Sequence, residues 1–328
     1  MNKKILNRNF IGKFSISIVI ILSIILSNSL FAQGLNNTSG SYAKVDGAEL
    51  WYQIKGHGEP VVIIPGGPGD SHTYLTPWFD DLAKNFTLIY FDAFGRGKSS
   101  RAKSQDEYSF SLDVKDLEGL RKTLGLKKWS VIGHSYGGMV AQEYALEYPN
   151  SVDKLILSDT FYSGEMWQEN DDNSNYEIRN QYPEKWKKIM KLRNEGYNSS
   201  STELQKVYNV PGGLLYFYDA SNYYKFRHNP FSFNPKVYYQ IVGADGDFLI
   251  GGDIGKLDFR TQLKTLKMPV LIIAGRFDRI SVPRYAVKYK QYLPNAKFVM
   301  FEKSGHNPYM EQHDKYFNLV TEFLKQDN

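Results

Sequence analysis

The chain has 328 residues, 42% hydrophobic and 15% aromatic, enough to bury a large core in one domain with an insertion or in two modest domains. Its net charge is +5, but Lys3, Lys4, Arg8 and Lys13 sit in the first 32 residues without a single acid; the remainder carries +1 and has no electrostatic footprint for nucleic acid. There is no cysteine, which excludes disulfides and a lipid-bearing lipobox, and no metal cluster, dinucleotide fingerprint or Walker loop, so neither cofactor nor metal is expected.

Residues 1–32 read as a signal peptide. The basic leader is followed by "ISIVIILSIIL" (16–26) and then by "SNSLFAQG", which offers cleavage after Ala32. The alternative is an uncleaved membrane anchor, since no charge occurs from Phe14 to Ala43, but the apolar core is shorter than the ~20 residues of a span. The expectation is export, with the mature chain periplasmic or secreted and touching the membrane only if the segment is retained. Oligomeric state is not legible.

After a polar linker, Asp46-Gly47 between two alternating stretches predicts a hairpin over 42–54. "PVVIIPGGPG" and "NFTLIYFDAFGRG" are continuous apolar runs ending in glycines, the pattern of strands buried on both faces of a parallel sheet. Helical spacing over 111–126 follows, with Ser111 or Asp113 as its cap, then the strand "WSVIGHS", a helix over 137–148 and the strand "KLILSDT". From 161 to 267 the sequence is aromatic and Asn-rich without buried-strand runs, and predicts a mostly helical insertion, or cap. The α/β rhythm returns with "PVLIIAGRFD", a helix over about 283–292, the strand "AKFVMFEKSG" and a closing helix in "DKYFNLVTEFLKQ". The fold class is therefore α/β: a core of residues 42–160 and 268–328 around a mostly parallel sheet flanked by helices, with the cap inserted after the strand ending near Asp159.

Gly133-His134-Ser135-Tyr136-Gly137 fits the G-x-S-x-G nucleophile elbow, in which a serine sits on a turn so sharp that only glycines fit beside it. A serine hydroxyl needs a base and an acid to orient that base, and in this fold they follow in the order Ser, Asp, His. Asp278, just past a buried strand, and His306, in the loop after the last strand, occupy those places. Asp92 also ends a strand but precedes the serine, and is assigned to loop bracing; His134 is assigned to structural support. Acyl transfer needs two N–H donors for its oxyanion. The backbone of Tyr136 supplies one, and Gly67 in "PGGPGDS" the other, with Gly66 letting the loop close on the substrate.

Together "GGPG", "DAFGRGKS", "GHSYGG", "GRFD" and "SGHNPYME" resemble the proline iminopeptidases, serine peptidases of the α/β-hydrolase fold, over about residues 42–326. The resemblance implies release of an N-terminal residue, often proline, from short peptides, with the free amine held by acids of the cap and of the loop around the catalytic acid. Asp247 and Glu165 are the candidates for that contact. Three positions depart from the family pattern: Pro65 where a histidine is usual, Phe94 where arginine is frequent, and Arg279 after Asp278, where one branch carries a glutamate. The alternative is a carboxylic-ester or lactone hydrolase with the same triad, suggested by the aromatic cap and by Arg279. A non-catalytic binding protein is disfavoured by the complete triad, and chemistry with an aspartate nucleophile by the serine in the elbow.

Overall fold

The structure, a computed structural model, describes residues 39–208, 213–227 and 232–326; the expected signal segment lies outside the described residues. Eight strands form one sheet in the order β1-β2-β4-β3-β5-β6-β7-β8. They are β1 Ser41–Val45, β2 Ala48–Gly56, β3 Pro60–Ile64, β4 Thr87–Phe91, β5 Trp129–His134, β6 Val152–Ser158, β7 Val270–Gly275 and β8 Lys297–Phe301. β1 and β2 form the expected hairpin, with Asp46 and Gly47 both at positive φ (46° and 87°) as a tight two-residue turn requires. β2 pairs antiparallel with β4, and every later pairing is parallel.

The core helices are α1 Phe110–Thr123, α2 Tyr136–Glu147, α9 Pro283–Ala286, α10 Tyr289–Tyr292, α11 Pro308–Glu311 and α12 His313–Lys325. α1 begins earlier than expected. Its cap is Ser109, whose hydroxyl accepts from Leu112 N–H, because Asp113 is drawn inward by Arg96. The single helix expected near 283–292 is two short ones. Both sheet faces are covered. One apolar cluster joins Val114 and Leu117 of α1, Met139 and Tyr144 of α2 and Tyr289 to the sheet; the other joins Phe79 to Tyr316, Phe317 and Val320 of α12. This is why β4, β5 and β7 are buried along their whole length and read as unbroken apolar runs.

Between β6 and β7 lie the cap helices α3 Gly164–Gln181, α4 Pro183–Asn194, α5 Thr202–Tyr208, α6 Gly213–Tyr216, α7 Asn222–Arg227 and α8 Pro235–Val242. Ile178, Ile189, Leu204 and Leu215 give the cap a small core of its own. No helix among the described residues is long and apolar enough to cross a membrane.

The register sets the position of the site. Ile64 of β3 lies beside Gly133 of β5, so the Gly66-Gly67 loop leaves the sheet next to the Ser135 turn. Gly275 of β7 lies beside Phe301 of β8, so the loops carrying Asp278 and His306 leave it together. Crevices beyond the carboxyl ends of parallel strands are where such sheets place their ligands.

Candidate active site

Ser135 occupies the turn between β5 and α2 with φ 54° and ψ −126°, a conformation that non-glycine residues rarely adopt and that the surrounding structure must enforce. Its N–H donates to Ser158 O at 3.0 Å and its carbonyl accepts from the Thr160 hydroxyl at 2.6 Å. Gly137 is obligatory here, since a side chain would run into the carbonyls of Ile64 and Pro65. Gly66 is equally constrained: a Cβ there would stand 2.7 Å from Ser135 Cβ.

Asp278 and His306, 28 residues apart, meet through a 2.8 Å hydrogen bond from His306 Nδ1 to Asp278 Oδ2, both side chains buried. The carboxylate is oriented by Ile280 N–H and Ser281 N–H on Oδ1 (2.7 and 2.9 Å) and by the Ser281 hydroxyl on Oδ2 (2.7 Å). Asp159, also buried, lies behind it at φ 50° and accepts from Gly275 N–H at 2.8 Å. Burial and the neighbouring Asp278 carboxylate hold the Asp159 carboxyl well above the usual range.

His306 and Ser135 open onto the same cavity of about 170 Å³. The Ser135 hydroxyl and His306 Nε2 have no hydrogen-bond partner among the described residues, an arrangement that substrate-free hydrolases often show before the contact tightens. The backbone N–H groups of Tyr136 and Gly67 likewise have no protein partner among the described residues, as oxyanion donors require.

Gly66 N–H, by contrast, is committed to the Tyr74 hydroxyl. Tyr74 donates in turn to His134 Nδ1 at 2.8 Å, and His134 Nε2–H donates to the carbonyl of His306 at 2.8 Å. Since that carbonyl only accepts, the direction of the whole chain is fixed. Burial and the nearby His306 push His134 down to about 3, which keeps it neutral in this role. This chain of bonds braces the oxyanion loop despite Pro65. The other side of the loop is held by Arg96, whose Nε donates to Pro68 O at 2.6 Å while its two Nη groups clamp Asp113 at 2.6 Å each. Asp92 accepts from His72 N–H and from His72 Nδ1 (2.9 and 2.8 Å), the loop bracing expected of it.

The cap closes the cavity with Phe161, Trp167, Leu215, Tyr216 and Tyr238. Tyr216 sits edge-on to His306, ring centroids 5.6 Å apart, and its carbonyl accepts His306 N–H at 2.8 Å. Of the two expected substrate-binding acids, Asp247 lines the cavity. Its Oδ2 accepts from Gln205 Nε2 at 2.8 Å, and burial pushes its carboxyl up to about 6. Glu165 does not. It lies on the outward face of α3, exposed, in a 2.7 Å ion pair with Arg260. The helix instead turns Trp167, Asp171 and Ser174 inward, one stripe at i, i+4 and i+7, so the cap acid is Asp171. Its Oδ2 is buried without a partner, and burial together with the Asp247 carboxylate holds its proton on well above the usual range. A third acid, Asp70, lines the cavity from the oxyanion loop. Arg279 stays outside, its guanidinium donating to Leu214 O at 2.8 Å and standing 4.0 Å from Glu177. Among the described residues no group of three or more His, Asp or Glu side chains could hold a metal ion.

Residues 59–312 match a family described as alpha/beta hydrolase fold. The chain is 28% identical to the proline iminopeptidase of Saccharolobus solfataricus over 304 residues, covering 88% of this chain and 93% of that one. It is 29% identical to that of Heyndrickxia coagulans over 273 residues, covering 83% and 93%. Among solved structures, a proline iminopeptidase from Mycobacterium smegmatis superposes with a TM-score of 0.69 at 21% identity, over 87% of this chain and 97% of that one. Sheet order, elbow and family match agree: the chain belongs to the α/β-hydrolase fold family.

Proposed function

We propose that the protein is a serine aminopeptidase that releases N-terminal proline, or another small residue, from short peptides. The observation that carries this reading is the cavity itself: Ser135 and His306 share it with the half-buried acids Asp171 and Asp247, and no lysine or arginine lines it among the described residues. A cation is what such a lining selects. A charge-assisted contact to an ammonium contributes about 1.5–3 kcal/mol, roughly ten- to a hundredfold in affinity. An apolar cavity of ~150 Å³ holds a benzene-sized group, so the aromatic wall of Phe161 and Trp167 has room for one small ring such as proline beneath the amine.

In the reaction, Ser135 Oγ attacks the carbonyl of the first residue as His306 Nε2 takes the hydroxyl proton. Asp278 holds the imidazole in the tautomer that allows this and stabilises its positive charge. The developing oxyanion is met by the N–H groups of Gly67 and Tyr136. The C–N bond then breaks, with His306 returning the proton to the leaving amine, and water releases the acyl group by the same route in reverse.

The ester or lactone alternative keeps the aromatic wall in its favour but loses the cation that suggested it, since Arg279 is turned away from the cavity. A fluorophosphonate probe followed by peptide mapping, with proline arylamide turnover alongside, tests the proposal. Labelling at Ser135 and turnover that falls ~10⁴–10⁶-fold in Ser135→Ala support it; ester turnover with no arylamide cleavage rejects it. Export after cleavage near Ala32 belongs to the same proposal, and N-terminal sequencing of the mature protein tests it.

A further inference from the structure

Asp70 is a half-buried acid that the mechanism does not use. It follows the Gly66-Gly67 loop, where its N–H closes a turn onto Gly67 O at 2.8 Å, and its carboxyl makes no hydrogen bond among the described residues. Oδ1 is buried without a partner. The cation nearest in influence, Arg96, spends four of its five N–H donors on Pro68 O, Phe94 O and both oxygens of Asp113, and makes no hydrogen bond to Asp70. A buried polar group left unbonded costs about 1–3 kcal/mol, so a carboxyl in this state needs an explanation.

Its place in the cavity supplies one. Asp171 and Asp247 stand at the cap end, beside Tyr208 and Tyr238. Asp70 stands at the oxyanion loop, beside Tyr74, while Tyr216, the ring that lies edge-on to His306, lies within reach of all three acids, Asp70 acting on it most strongly. The N-terminal ammonium satisfies the cap pair. One acid is left over, at the oxyanion loop.

Resting on the aminopeptidase reading above, we infer that Asp70 selects peptides whose second residue carries a cationic side chain, lysine or arginine, by pairing with that cation on the leaving-group side. Burial holds the Asp70 proton on in the empty site, and an arriving cation favours its release.

The experiment compares kcat/KM for prolyl-lysinamide and prolyl-norleucinamide, two leaving groups of similar length that differ in charge, with proline arylamide as reference. The wild-type ratio of lysine to norleucine is expected to be about ten, and to fall to about one in Asp70→Asn. Asp70→Lys inverts it. Thermal unfolding of each variant shows that the comparison is between folded proteins, and the wild-type ratio stands as a test even if one variant fails to fold. A wild-type ratio near one, or a ratio of ten that survives in Asp70→Asn, overturns the inference and leaves the aminopeptidase reading intact provided the arylamide is cleaved. Cleavage of none of the three substrates removes both. A preference for lysyl over leucyl arylamide without any effect of the second residue also overturns it, because the second cation would then belong to the first residue.

Discussion

The Tyr74 hydroxyl and His134 Nδ1, 60 residues apart in sequence, are joined by a 2.8 Å hydrogen bond between the oxyanion loop and the nucleophile strand. Through it the Gly66 N–H, the elbow and the His306 carbonyl form one directed chain. Removing the phenol oxygen leaves two buried groups unpaired, Gly66 N–H and His134 Nδ1. Tyr74→Phe is therefore expected to lose ~1–3 kcal/mol of stability. It is also expected to lose about tenfold to a hundredfold in kcat with a smaller change in KM, because the Gly67 donor is displaced. Chemical denaturation and steady-state kinetics on the same preparation check both.

Gly66→Ala probes the same contact from the other side. The added methyl would stand 2.7 Å from Ser135 Cβ and 2.9 Å from the Tyr74 hydroxyl, and the loop must retreat from the nucleophile. Activity is expected to fall by roughly a hundredfold or more, while unfolding remains cooperative. Fluorophosphonate labelling should slow in parallel.

Asp247 gives the free-amine contact a pH signature. With its carboxyl pushed up to about 6, it loses its charge as pH falls through that value. KM for a free-amine substrate should rise below about pH 6, and KM for an ester lacking the amine should not. The stability effect has the opposite sense. The folded state binds the proton more tightly than the unfolded chain between about pH 4 and 6, so this group's contribution is fully present below about 4 and is lost as pH climbs through about 6. Asp247→Asn should flatten both trends.

Arg279→Ala separates the peptidase from the ester alternative. Its guanidinium is held by Leu214 O and lies near Glu177, outside the cavity. Selectivity between free-amine and blocked substrates should change by less than about twofold, consistent with the small effect of most partly exposed ion pairs. A large loss of turnover on acidic acyl substrates would bring the side chain back into the site.

The strand-end loops that bring Ser135, Asp278 and His306 together were legible in the sequence because each follows an apolar run and is marked by glycine, which is how a parallel strand announces its end. The sheet was legible for the same reason. The cap was not, beyond its helical character. Its helices are short and polar on several faces, and only docking decides which face turns inward. Glu165 and Asp171 differ by less than two turns of α3, yet one pairs with Arg260 at the surface and the other enters the cavity. In the run "GEMWQENDDNSNYE" the acids look alike, and the sole clue was the spacing of Asp171 from Trp167 and Ser174. Asp70 had a better signal, since it directly follows the glycine loop. The brace through Tyr74 had none, because it depends on a side chain eight residues downstream of the glycine it holds.

The most direct measurement is kcat/KM for prolyl arylamide against N-acetylprolyl arylamide and a matched prolyl-free ester, with wild-type protein and Ser135→Ala. If half-buried carboxylates beside the nucleophile select a free ammonium, acetylation should cost about a hundredfold or more and Ser135→Ala should abolish turnover. Blocked substrates hydrolysed as fast as the free amine, or faster, would contradict it.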